Sequence, residues 1–173
     1  MELYQTLREV IDMRSFSNLW FWIVLAVLWS SNSHWVLGVP YDMIQRGRRH
    51  GGEAMQDMQT MVGLNVRRIL HIVGMGGYWL LGSFTFMLSV LLTLSIGYGV
   101  EFAQALTCLF FPMLFVAALS IRTARQIDQG KLAGEALVRR LHLHRLMVQG
   151  IGILSILVTS MFGMWVNLRV GPW

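Results

Sequence analysis

Four long apolar stretches alternate with two arginine-rich polar stretches along the chain. The apolar runs are Ser17–Val39, Leu70–Ile96, Val100–Ile121 and Leu146–Leu168. About 20 residues cross a bilayer as a helix, so each run is long enough to span one. Ahead of the first, Leu3, Leu7, Val10 and Ile11 recur at helical spacing, with Glu2, Arg8, Glu9 and Asp12 mostly elsewhere. That amphipathic pattern predicts an N-terminal helix lying in the membrane interface. The expected fold is therefore all-α: an integral membrane four-helix bundle with an interfacial N-terminal helix. It forms a single membrane domain.

The polar stretches also read as helices. In 41–68, Gly47, Gly51 and Gly52 loosen the first half. From Glu53 onward, Met55, Met58, Val62 and Ile69 recur at three- and four-residue steps, predicting a helix that runs on into the second span. Its methionine face suits either a partner or the chain's own second loop. In 122–145, Gly130 is a natural break, followed by an apolar stripe of Leu132, Ala136, Leu137 and Leu141. The turn Gly97-Tyr98-Gly99 joins spans two and three, and Pro112 should kink span three.

Packing signals differ between spans. Span one carries Ser30, Ser31, Asn32, Ser33 and His34 in a row before Pro40. Polar groups are costly in lipid, so Ser30, Asn32 and His34 are expected to face the bundle, near the start of span two or the end of span three. Span two opens with Gly74, Gly76 and Gly77. Span four carries Gly152, Ser155, Thr159 and Gly163 as a stripe. Small residues let membrane helices approach closely, so Gly74, Gly77 and this stripe are predicted contacts.

Composition sharpens this picture. Of 173 residues, 55% are hydrophobic and 13% charged, about half the usual charged fraction of soluble domains. The net charge is +5, and eleven of the fourteen Lys and Arg lie in the two polar stretches. The positive-inside rule then places both stretches in the cytoplasm and both termini outside. The start lacks a basic leader and a cleavage site, so it reads as retained. No segment forms a soluble module that would present the basic residues to nucleic acid. The arginines Arg46, Arg48, Arg49, Arg67, Arg68, Arg139 and Arg140 are instead candidates for anionic lipid head groups.

Catalytic signals are weak. Ser30–His34 has no carboxylate at matching depth, and no hydrolase, zinc-protease or phosphate-loop motif occurs. His142 and His144 are alternate residues and point apart on a helix, so no metal site is expected. His34 and His71 reach the same membrane edge and could hold haem or quinone between spans one and two. A transporter would want ionised groups at the membrane centre, and the spans have none there.

The run IDMRSFSNLWFWIVLAVLWSSNSHWVLGVPYDM, Ile11 to Met43, resembles the first third of a small bacterial inner-membrane family labelled "component of SufBCD complex". That resemblance implies a membrane partner of iron–sulfur cluster assembly in the bacterial inner membrane. The single cysteine, Cys108, supplies no cluster-ligating set. Together these readings point to a non-enzymatic accessory subunit or assembly factor of a larger membrane complex. No cofactor is expected, with bound phospholipid as the alternative. The small redox protein is the alternative.

Overall fold

Phe16 and residues 19–170 are described by a computed structural model, with side chains through Leu168. The interfacial helix expected over 2–14 lies outside the described residues. The rest is about 91% helical, in five helices. Helix α1 is Leu19–His34, α2 is Tyr41–His50 and α3 is Gly52–Leu92. A π-helical turn, Thr93–Gly97, closes α3. Helix α4 is Glu101–Gly130 and α5 is Gly134–Val170. Three of these segments, Gly52–Gly97, Glu101–Gly130 and Gly134–Leu168, are long and apolar enough to cross a membrane.

The first apolar run does not stay helical to Val39. It stops at His34, and a hairpin follows in which Trp35 pairs with Pro40 and Val36 with Val39. Two causes act at this point. Pro40 has no N–H to continue a helix, and it pushes Val39 toward extended backbone. Leu37 (φ 51°) and Gly38 (φ 78°) are both left-handed, the geometry of a tight two-residue hairpin turn. Asn65 on α3 closes the turn, donating from Nδ2 to the Gly38 carbonyl at 3.1 Å. An added methyl at Gly38 would stand 3.2 Å from that same nitrogen. Gly38→Ala is therefore expected to cost about 1–2 kcal/mol for the left-handed backbone, read as a lowered thermal midpoint.

After the hairpin, α2 folds back on α3 through Gly51 (φ 62°) and Gly52 (φ 48°). Gly47 makes the close approach possible, since a methyl there would meet the Ala54 carbonyl at 3.2 Å. As the periodicity predicts, α3 then runs without a break from the polar stretch into the second apolar run. At the far end of α4, Lys131 turns left-handed (φ 43°) just past Gly130.

Two clusters hold the fold together. The larger lies at the arginine-rich end. It joins the hairpin residues Val36, Leu37 and Val39 to Met58, Val62 and Val66 of α3, Ala124 and Ile127 of α4, and Leu137, Val138 and Leu141 of α5. The methionine face of α3 is thus occupied by the chain's own second polar stretch. The smaller cluster joins Leu25 and Trp29 of α1 to Leu109 and Val116 of α4 and Val148 of α5.

Helix α1 lies antiparallel along α5. Phe16 meets Phe162 and Gly163, Trp29 meets Gly152, and Ser33 meets Gln149. The polar end of span one was expected near the start of span two or the end of span three; span one packs on span three through Leu109, Met113 and Val116, and along span four. The reason is the Gly152–Gly163 stripe, which offers α1 a groove that Phe16 and Trp29 fill. Among the described residues, Gly74 of α3 has no atom within 4 Å of an added methyl, and Gly77 meets only Val73 of its own helix. Among the described residues, these two predicted packing glycines meet no other helix. Helix α3 is held at its ends, by Met58, Val62 and Val66 and by Leu91, and among the described residues its middle is mostly exposed.

Candidate functional site

The arginine-rich end holds the most densely built polar site. The hairpin delivers Tyr41 to the first turn of α2, beside α5. Its hydroxyl shares a 3.2 Å hydrogen bond with His142 Nδ1, and the two rings stack at 6.5 Å. The Arg145 guanidinium carbon sits 3.6 Å from the centre of the Tyr41 ring, a cation–π contact. Arg145 Nε also donates to the Ser33 carbonyl at 3.2 Å, one of the carbonyls left open at the end of α1. Tyr41 is thereby fixed from two sides. Next to it a cavity of about 320 Å³ opens between α2 and α5. Its floor is apolar, from the buried Ile44 and Val138. Its rim carries Tyr41, Gln45, Arg48, Arg49 and His142.

One turn inward, Thr123 Oγ1 and His144 Nδ1 lie 3.1 Å apart, both buried. Arg140 donates to Gln126 Oε1, so this guanidinium is tied to α4 rather than turned outward. Along the α1–α5 groove, Gly152, Ser155, Thr159 and Gly163 are all buried, and Thr159 bonds Cys108 of α4.

The expected packing residues of α1 divide. Asn32 donates to the Leu28 carbonyl at 2.9 Å and reaches Met113 Sδ of α4 at 3.6 Å. Ser33 accepts from Gln149 Nε2 at 2.9 Å. Ser30 and His34 are exposed. The expectation that His34 faces the bundle is corrected: among the described residues its ring meets only the edge of Trp35, at 6.0 Å. A helix has one buried face, and here Leu25, Trp29 and Asn32 occupy it. His34 falls on the other side. His71 is exposed on α3, and among the described residues no contact joins it to His34.

Family models, curated proteins and solved structures were compared with this chain, and none matches.

Of the seven arginines proposed for lipid head groups, Arg48 and Arg49 line the cavity. Arg46, Arg67, Arg68 and Arg139 are exposed elsewhere. Sequence reasoning missed Tyr41, Gln45 and His142 as part of one site. One signal was available: Tyr41 and His142 both flank apolar runs at the basic membrane edge, where aromatic residues with a polar tip collect. Their pairing depends on α1 lying antiparallel to α5, which no local pattern encodes.

Proposed function

We propose that this chain is a non-enzymatic accessory subunit or assembly factor of a larger bacterial inner-membrane complex. In this reading it is a four-helix membrane bundle, with its arginine-rich end in the cytoplasm and both termini outside. Helix α1, at about 24 Å, is shorter than a hydrocarbon core of about 30 Å, and the hairpin caps it at the arginine-rich end. Phe16 supports this placement, since its N–H reaches Glu101 Oε1 at the opposite mouth of α4, 2.8 Å away.

The observation that carries the reading is the free middle of α3. Of its apolar half only Leu91 is buried, while Tyr78 is 94% and Trp79 84% exposed. Gly74, Gly76 and Gly82 lie among these large side chains with open space around them. Small residues beside large ones form the type of surface through which membrane helices associate. The resemblance over Ile11–Met43 suggests iron–sulfur cluster assembly as the setting.

Purification from native membrane in mild detergent should bring down a larger partner. Recovery as a lone monomer would overturn the reading. Gly74→Leu with Gly82→Leu should leave the fold intact, because no described residue occupies that space, yet release the partner.

A further inference from the structure

We propose that the cavity between α2 and α5 binds a phosphate oxyanion. The rim is rich in donors: the Gln45 amide and the Arg48 and Arg49 guanidinia face it, and the Tyr41–His142 pair, bonded to each other, leaves one further donor. No carboxylate lines it. Among the described residues Arg48 and Arg49 form no ion pair, so no described carboxylate answers their charge. A group rich in acceptors and carrying negative charge complements such a rim, and arginine binds phosphate through paired N–H donors. The absence of acidic and thiol groups disfavours a cation there.

The site is preorganised. Tyr41 is held by His142 and Arg145, and Arg145 is anchored on Ser33. Ile44 and Val138 close the floor with buried apolar surface. The volume of about 320 Å³ lies within the roughly 300–1,000 Å³ of small-ligand pockets. A larger cavity of about 460 Å³ beside Arg122 and Arg125 lacks this construction, because all of its walls come from α4.

The phosphate could belong to a phospholipid head group or to a soluble phosphate compound, and the test separates the two. The full chain is placed in phosphatidylcholine nanodiscs and titrated with inorganic phosphate, followed by phosphorus NMR line broadening. In parallel, native mass spectrometry follows retention of phosphatidylglycerol from mixed bilayers. Binding in both arms, or in the inorganic arm alone, assigns a soluble phosphate compound; retention of phosphatidylglycerol alone assigns a lipid head group.

Either signal should weaken by about tenfold or more in R48Q/R49Q, the loss expected for charged hydrogen bonds. R67Q/R68Q removes the same charge from α3, outside the cavity, and should change it by less than about twofold, since charges that do not touch the ligand are screened by salt. Tyr41→Phe keeps the ring and removes the hydroxyl, and should fall between the two. Equal losses in the two arginine pairs would reduce the effect to general surface charge and overturn the proposal. So would the absence of both signals in the unaltered chain. Both arginine pairs are exposed, so the fold survives their replacement, and membership of a larger complex does not enter the result.

Discussion

Gly152→Leu should detach α1 from α5. A methyl at this position would stand 2.8 Å from Trp29 Cε3 and 3.2 Å from Cδ2, closer than side chains approach one another. Trp29 cannot swing away freely, because it is 6% exposed and packed among Leu25, Leu109, Val116 and Val148. Overpacking of this type costs about 1–3 kcal/mol, and leucine adds three more carbons to the clash. The effect should reach the polar contacts further along: Ser33 to Gln149 and to Arg145 would open, and Arg145 would lose its anchor beside Tyr41. Cysteines placed at Ser33 and Gln149 should cross-link in the parent and fail to do so in the variant. Adding Trp29→Ala to Gly152→Leu should restore part of the stability, since the two changes exchange volume across one contact. If the single variant cross-links normally, α1 is not seated on α5 through this glycine.

The small-residue stripe of α5 was legible because its spacing is helical and its meaning is steric: four small residues on one face admit a close neighbour. Which neighbour was not legible. The same rule applied to Gly74 and Gly77 names a helix face that no other helix among the described residues touches. Glycine spacing reports that a close approach is possible; the partner is set by connection lengths and by which large side chains face the groove. Phe16 and Trp29 supply those. The continuous helix from Gly52 was legible from its methionine and valine steps. The hairpin was not, because Trp35–Val39 reads as apolar and hydropathy cannot separate a buried two-residue strand from the end of a helix. Leu37 and Gly38, followed by Pro40, were the available signal. His34 differs for a related reason: a polar residue in an apolar run predicts an inward turn, and here the ring is exposed. At the basic edge of the fold it meets water or head groups without penalty.

Leu141→Ala should destabilise this protein far more than Leu81→Ala, although both remove the same atoms from a helix. Leu141 is 0% exposed in the cluster at the arginine-rich end, where Met58, Val62, Ile127 and Leu137 converge. Leu81 is 67% exposed on α3. Where a cluster is assembled next to water, each buried leucine contributes the free energy of leaving it, and removal also opens a cavity. Truncation there costs about 2–5 kcal/mol. A side chain that faces lipid or a loosely held partner gains little from burial, because the hydrocarbon around it is as apolar as the side chain itself. The contrast assigns the folding free energy of the polar stretches to their own core: α2, the start of α3, the end of α4 and the start of α5 lock together there through the Val36–Val39 hairpin. Urea unfolding in detergent, followed by proteolysis at Arg48 and Arg49, should show the basic end opening at lower denaturant in Leu141→Ala. Leu81→Ala should follow the parent. Equal midpoints for the two variants would mean that the arginine-rich end gains nothing from its core, and that the membrane helices alone hold it in place.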